Sequence, residues 1–540
     1  MNKAFTIKLI SLLAMLLTME ATLQSQQPWK RFFNDPPYRS FSYDVLESFD
    51  GGYILGGVLK KPNNIWPGWL VKTDINGYVL WTKLIGDTVE SPFAALGKTS
   101  DNGFILGGRY NSHGASVDAY VMKFDACGSP EWCSFFPDKD GNDSEICNGI
   151  HELPDGSYIC ERYLPIWQQH NRWSLIKIRH NGDLEWMNYY DLNTSWTAQI
   201  DISMTLTSDT CFVVNGSVGD TIYGTSGYSW HPFWYKVDNN GNLIWEQKWE
   251  LSASQSMGDT RKTVEDKYGN YYGGGSMCPP LSFSYLYKLK HDGDTMASYR
   301  INDFPNVSSG LVNTLNIDHD TTLVLGTQFT LEHTGYWAMD LTDTLGNIRK
   351  TLHELEDMIF VNSLITFDGK YLQLGITGNY PGHPEMATLY KFNSNLEYDS
   401  IYTQPRTYDS LCLHAIKSDT IPMPGMCITV NLPEAPKLGE LLKLKVSPNP
   451  AREYVTVEIP EFSATSQRTG FGTQQQFRPL NGEVQLDFVA LNGQTVLSER
   501  FDATERNHLV HLDGFVAGMY LIRLSQKGKM VADGKVMVGR

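Results

Sequence analysis

Between about residue 40 and residue 400 the chain repeats one pattern of apolar and polar positions seven times. The copy spanning Asp101-Asn-Gly-Phe-Ile-Leu-Gly-Gly108 and Ala119-Tyr-Val-Met-Lys-Phe124 shows its parts. A polar turn leads into an apolar run ending in Gly-Gly, and a variable loop, an alternating run, a turn at Gly128 and a run opening on Trp132 follow. Runs of this length between turn residues predict short β-strands. The first turn of each copy is carried by Asp50-Gly51-Gly52, Asp101-Asn102-Gly103, Pro154-Asp155-Gly156, Asp209-Thr210, Gly269-Asn270, Asp318-His-Asp320 and Asp368-Gly369. These residues accept positive φ or hydrogen-bond their own backbone, as tight hairpins require. The runs after them, such as Tyr53-Ile-Leu55 and Leu323-Val-Leu325, lack strict alternation and predict strands buried on both faces. The next runs carry Lys72, Lys123, Lys177, Lys236, Lys288 and Lys391 at one place, read as structural lysines with buried stems and heads reaching for water.

The turn glycine falls at Gly77, Gly128, Gly182, Gly241, Gly293 and Gly346, with Asn395 in the seventh copy. The steps are 51, 54, 59, 52, 53 and 49 residues, each with room for four short strands. Trp81, Trp132, Trp186 and Trp245 stand four residues after the glycine, where a large ring packs best between adjacent sheets. The expected fold is all-β, a seven-bladed β-propeller over residues 28–430. An open solenoid would need capping units, and neither end supplies one. Trp29-Lys-Arg-Phe-Phe33 reads like Trp132-Cys-Ser-Phe-Phe136 and is a candidate fourth strand for the last blade, in competition with Leu396 to Thr403. The text Asp-x-x-Gly-x-x-x-Trp, as from Asp74 to Trp81, resembles the tryptophan-docking motif of quinoprotein-type β-propellers. That resemblance speaks to architecture alone.

From Val446 the text changes, after a linker over residues 431–445. Alternating runs at Tyr454-Val-Thr-Val-Glu-Ile459 and Val484-Gln-Leu-Asp-Phe-Val-Ala490, with Asn-Gly and Ala-Gly turns, predict a small Ig-like β-sandwich over 446–540. The polar insert from Ser463 to Pro479 reads as a loop. The order of Pro448-Asn449-Pro450, a Leu-x-Gly-Gln turn, Gly518-x-Tyr520 and Lys535-Val536 resembles the type A sorting domain of the type IX secretion system of Bacteroidota. The resemblance implies passage across the outer membrane, the secretion machinery as a partner, and a secreted or surface-attached product.

At the other end, Lys3 and Lys8 precede the apolar run Leu9 to Leu17, followed by small and polar residues. This is the order of a secretory signal peptide, expected over residues 1–25, and the run is too short to span a bilayer. No other segment predicts a membrane span. With 44 Lys and Arg against 60 Asp and Glu, the net charge of −16 disfavours nucleic acid as a partner. Eight cysteines in an exported chain favour disulfides. Flanking the same turns or loops, Cys127 with Cys133, Cys147 with Cys160, and Cys412 with Cys427 are the expected pairs, leaving Cys211 and Cys278.

Catalytic signatures are missing: no Gly-x-Ser-x-Gly elbow, His-Glu-x-x-His helix, phosphate loop or dinucleotide fingerprint is present. No catalytic residue is assigned and no cofactor is expected. Asp138, Asp140 and Asp143 offer the oxygens Ca²⁺ prefers but lack a closing Glu, so a solvated turn is the stronger reading. The long second connections are aromatic and dissimilar, which places the expected ligand surface on their rim. Trp66, Trp167 and Trp230 are the candidate stacking residues and His170, His231 and His383 the candidate hydrogen-bonding ones, against the alternative that these rings pack their own loops. The first functional expectation is a secreted or cell-surface binding protein for a glycan, protein or peptide. The second is an extracellular enzyme acting on polysaccharide or by quinone-dependent oxidation.

Overall fold

The computed structural model describes residues 29–539 except 34–37, 62–64, 87–92, 112–116, 138–145, 165–171, 191–197, 222–227, 249–255, 279–282, 302–308, 332–333, 355–357, 378–384, 424–425, 431–441, 460, 469–472, 480–482, 491–493, 504–506 and 527–528. Among these residues every regular element is a strand.

Four strands in sequence order make each repeat. Sheet 1 holds Arg39–Glu47, Tyr53–Lys60, Gly68–Thr73 and Val79–Ile85; sheet 2 holds Phe93–Lys98, Phe104–Tyr110, Asp118–Phe124 and Pro130–Phe136. Sheet 3 holds Ile146–Glu152, Tyr158–Leu164, Arg172–Ile178 and Leu184–Tyr190; sheet 4 holds Ala198–Leu206, Phe212–Thr221, Tyr228–Val237 and Leu243–Lys248. Sheet 5 holds Ser256–Glu265, Tyr271–Cys278, Phe283–Leu289 and Thr295–Ile301; sheet 6 holds Ser309–Asp318, Thr322–Leu331, Thr334–Asp343 and Ile348–Glu354. Sheet 7 takes Met358–Ile365, Tyr371–Thr377 and Ala387–Phe392 from the end of the repeats and its fourth strand, Lys30–Phe33, from the beginning. Lys30 faces Tyr390 and Phe33 faces Ala387 in that antiparallel pair, so the N-terminal text does supply the missing strand.

Sheets buried on both faces need an apolar partner on each side, and here each partner is the next sheet. A separate core lies between sheets 1 and 2, 2 and 3, 3 and 4, 4 and 5, 5 and 6, and 6 and 7. The core that joins Leu372, Leu374 and Leu389 of sheet 7 to Val45, Tyr53 and Val71 of sheet 1 closes the succession into a ring.

The recurrent tryptophan is the fastener at the outer end of these interfaces. Trp81, Trp132, Trp186 and Trp245 lie on Gly128, Gly182, Gly241 and Gly293, the turn glycines of the following sheets. Trp132 Nε1–H donates to the His180 carbonyl at 2.9 Å and Trp245 Nε1–H to the His291 carbonyl at 3.1 Å. Gly293 is glycine for two reasons: its φ is +86°, and a Cβ would sit 2.6 Å from the Trp245 ring. Trp29 lies on Gly77 in the same manner, so the closing joint between sheets 7 and 1 uses the device of the first four joints, whereas at Gly346 of sheet 6 Tyr299 takes the tryptophan's place. At the inner end, Glu47, Glu152 and Glu265 accept the backbone N–H of Phe367, Ser100 and Ser208 in the preceding sheet's first turn, at 2.7, 2.5 and 2.6 Å.

The recurrent lysines do not reach for water. Lys72, Lys123, Lys177, Lys236 and Lys391 each place Nζ on the aspartate of their own sheet's first turn, Asp50, Asp101, Asp155, Asp209 and Asp368, at 2.5 to 3.2 Å. The turn aspartate thus binds the third strand as well as its own backbone. Lys288, whose turn has Tyr268 at the aspartate's place, lies over the Tyr272 ring instead.

Two of the expected disulfides are corrected. Cys127 bonds Cys412 and Cys133 bonds Cys427, while Cys147 bonds Cys160 as expected. The residues after the repeats run along the outer edges of sheets 1 and 2, where Asp419–Ile421 adds in parallel to Lys83–Ile85 and Ile428–Thr429 to Ser134–Phe135. Each cysteine of this strap therefore passes a sheet 2 cysteine before it can meet its sequence neighbour. Cys211 is a free thiol, and the Cys278 side chain lies outside the described residues.

The C-terminal part has a sheet of Leu442–Lys443, Lys529–Val538, Gly518–Gln526, Glu483–Ala490 and Thr495–Asp502, and a second of Lys445–Ser447, Tyr454–Glu458 and Asn507–His511. Leu486, Phe488, Ile522 and Val536 of the first share one core with Val455, Val457 and Val510 of the second. The insert read as a loop is a two-stranded hairpin, Glu461–Arg468 with Thr473–Pro479.

Candidate functional site

Among the described residues the first strand of each repeat sheet, its inner strand, breaks register with its neighbour. The breaks fall between Ser42 and Asp44, Phe93 and Ala95, Cys147 and Gly149, Ile200 and Ser203, Met257 and Thr263, Val312 and Thr314, and Phe360 and Asn362. A bulge at one level of every inner strand re-aims the side chains beside it. Those side chains form a polar cluster drawn from five sheets.

Asp44 of sheet 1 accepts the backbone N–H of Leu96 at 2.6 Å and of Val45 at 2.8 Å, and an N–H of the Asn362 side chain from sheet 7. Lys262 of sheet 5 reaches past sheet 6 to donate to the Ser363 carbonyl of sheet 7 at 3.0 Å. Asn316 of sheet 6 donates to the Ser363 hydroxyl. His151 Nε2 of sheet 3 lies 3.3 Å from the Met204 carbonyl. Contacts that skip a sheet place the cluster at the axis of the ring. Asp44, His151 and Lys262 are half-buried there.

The same enclosure sets their charge. Burial pushes the Asp44 carboxyl up to about 6 against the pull of its N–H donors and of Lys262. Burial lowers Lys262, with Asp44 acting in opposition. Burial also lowers His151; the hydrogen bond to Met204 opposes that shift and Lys262 adds to it. A carboxyl raised in this way and coupled in charge to the Lys262 amine can hydrogen-bond a polar ligand and can move a proton.

A second irregularity lies beside this cluster in sheet 3. Where sheets 1, 2, 5 and 6 have Gly56, Gly107, Gly274 and Gly326, sheet 3 has Glu161, fully buried, and neither carboxyl oxygen has a hydrogen-bond partner among the described residues. Burial drives its pKa well above the ordinary carboxyl range. Such an acid holds its proton more tightly in the folded chain. Its contribution to stability is therefore full below the unfolded value of about 4.3 and declines as pH rises above it. Glu161→Gln should thus gain melting temperature relative to the parent progressively from pH 4 to pH 8. Parallel melting curves across that range would show a carboxylate that has a partner.

The residues singled out on the long connections fall unevenly. Trp66 is half-buried, stacked on Phe41 with centroids 5.6 Å apart, and Lys60 Nζ lies 4.4 Å over its ring. His231 is buried in the third strand of sheet 4 at 4 % exposure, and the Trp230 backbone pairs with Gly219 beside it. Trp167, His170 and His383, and the candidate Ca²⁺ ligands Asp138, Asp140 and Asp143, lie outside the described residues.

The C-terminal motif residues, in contrast, come together. Asn449, between the cis prolyl peptides of Pro448 and Pro450, donates to the Lys535 carbonyl at 3.1 Å and accepts the Met537 N–H at 2.8 Å. Gly518 pairs with Val538 and Tyr520 with Val536, and Tyr520 and Val536 point into the core. The Pro-Asn-Pro corner thus clamps the last strand. Residues 445–538 match the family described as secretion system C-terminal sorting domain. The sorting domain directs the protein through the periplasm to the cell surface or the extracellular space by the type IX route, with the secretion machinery as its partner.

No curated protein matches the chain. Among solved structures, a protein of unknown function from Dyadobacter fermentans DSM 18053 is 10% identical with a TM-score of 0.42, over 66% of this chain and 99% of that one. A PL25 ulvan lyase is 8% identical with a TM-score of 0.45, over 66% and 94%. The β-propeller domain of the trilobed protease from Pyrococcus furiosus is 10% identical with a TM-score of 0.38, over 68% and 100%. The propeller-like architecture of the present chain rests on its own sheet order and inter-sheet cores.

Proposed function

We propose that the protein is a secreted or cell-surface binding protein, a seven-bladed propeller over residues 28–430 carried by an Ig-like sorting domain over 446–540 and led by a signal peptide over 1–25, from a bacterium of the Bacteroidota. Its ligand is a glycan whose polar groups enter the bore. The observation that carries this reading is the cluster of Asp44, His151, Lys262, Asn316 and Asn362 on bulged inner strands of five sheets. A hydroxyl-rich ligand presents donors and acceptors in the mixture that these groups can satisfy. In this reading Trp66, Trp167, Trp230, His170 and His383 of the long connections are the proposed outer contacts.

The second reading, an extracellular enzyme on polysaccharide, is favoured by Asp44, whose carboxyl pushed up to about 6 is suited to general acid or base work. A glycan array probed with the mature protein, with reducing-end release measured on every hit, separates the two. Capture without new reducing ends, weakened at least about tenfold by Asn362→Ala through loss of a buried hydrogen-bonding group, is the expected result. Release of new ends favours the enzyme, and capture indifferent to Asn362→Ala moves the site to the loop rim.

A further inference from the structure

We propose that Lys262 makes the axial site selective for an anionic sugar unit, a uronate or a sulfate ester; this rests on the axial binding reading. An ammonium group has three N–H donors. Lys262 spends one on the Ser363 carbonyl at 3.0 Å and makes no other hydrogen bond or ion pair among the described residues. The repeat lysines show the contrast, since Lys72, Lys123, Lys177, Lys236 and Lys391 are each paired with a turn aspartate. Lys262 stands outside that pattern, on the inner strand, where other sheets place Asp44, Ala95, Gly149, Ser203, Thr314 and Asn362.

The acid nearest in charge, Asp44, is already occupied. Its two oxygens accept from Leu96, Val45 and Asn362, and they form no ion pair with Lys262. The bore therefore holds a cation with two unspent donors, and beside it Asn316, whose side chain makes a single hydrogen bond, to Ser363. A carboxylate or sulfate brings two or more acceptor oxygens and a negative charge at once, whereas a neutral hydroxyl brings one acceptor and no charge. Charge-assisted hydrogen bonds of this kind are roughly twice as strong as neutral ones. In a protein of net charge −16, attraction for an anion has to come from such a local, enclosed cation.

Calorimetric titration of the mature protein with three probes tests this: a trigalacturonate, the matching neutral galactose trisaccharide, and a sulfated galactose trisaccharide. At least one anionic probe should bind about tenfold or more tightly than the neutral one, with the preference shrinking as salt rises. Lys262→Met should level the probes while keeping the parent's melting temperature within a few degrees, and Lys262→Arg should keep part of the preference. The two anionic arms distinguish carboxylate from sulfate. Equal binding of all three by the parent, a preference that survives Lys262→Met, or binding of none would each overturn the inference. Neutral-sugar binding that Asn362→Ala weakens, with no anionic preference, would overturn it and leave the axial reading standing. Binding of every probe indifferent to Asn362→Ala would overturn the axial reading itself.

Discussion

A chain lacking Trp29–Phe33 should lose the ring. Trp29 is fully buried and Phe33 is 4 % exposed in the core shared by sheets 7 and 1, and Lys391 N–H donates to the Trp29 carbonyl at 3.1 Å. Truncating a buried Phe or Trp costs about 3–5 kcal/mol, and the deletion removes one of each together with the four-residue ladder onto Ala387–Phe392. The sum, about 6 kcal/mol or more, is a large part of the roughly 5–15 kcal/mol by which domains are stable. The melting temperature should fall by on the order of 10 °C or the cooperative transition disappear. A synthetic peptide covering residues 28–34, added at high concentration, should restore part of the loss by refilling the same edge. An unchanged melting temperature would mean that another segment, such as Leu396 to Thr403, can take the place.

Asp50→Ala should be the most costly turn substitution. Asp50 and Lys72 meet at 2.7 Å with both side chains 2 % exposed, so the alanine strands an ammonium in the interior. Breaking one side of a buried pair costs about 3–5 kcal/mol. Asp101→Ala should cost much less, about 1 kcal/mol, because Asp101 is half exposed and Lys123 keeps Glu131 at 3.0 Å and the Phe124 carbonyl at 2.8 Å. The double variant Asp50→Leu with Lys72→Met should recover most of the loss, since replacing both partners by apolar groups leaves no buried charge. Denaturant unfolding of the four proteins checks the order. Equal costs at Asp50 and Asp101, or a double variant no better than Asp50→Ala, would show that the pair carries little of the energy.

The partners of these pairs are both visible in the sequence. In three of the five pairs, Asp50 and Lys72, Asp101 and Lys123, and Asp155 and Lys177, the partners stand 22 residues apart, and an equal spacing between opposite charges in several repeats signals a fixed contact. The lysine alone suggests a snorkelling side chain; the spacing identifies its counter-ion.

Repetition is what made the architecture legible. Turn residues, run lengths and a ring at a constant step are local demands of hairpins and of sheet-on-sheet packing, so they are written into every copy, and Trp29-Lys-Arg-Phe-Phe33 could be matched to its place by text alone. The Pro-Asn-Pro corner and the Gly-x-Tyr run are likewise contiguous motifs that name their domain. The axial cluster was not legible. Asp44, His151, Lys262, Asn316 and Asn362 share no residue type and stand in five different repeats. The bulge in each inner strand shifts the two-residue alternation by one, so the pattern along the strand cannot tell which side chain faces the axis. The disulfide pairing is hidden in the sequence for a related reason. Nearness along the chain made Cys127 and Cys133 look like partners, whereas ring closure and the strap bring Cys412 and Cys427 to them across 285 and 294 residues. The chain by itself determined what each repeat must be, because hairpins and buried faces are settled by neighbours in sequence. Only the closed ring decided which residues of different repeats meet, because that depends on the order and register in which the sheets pack.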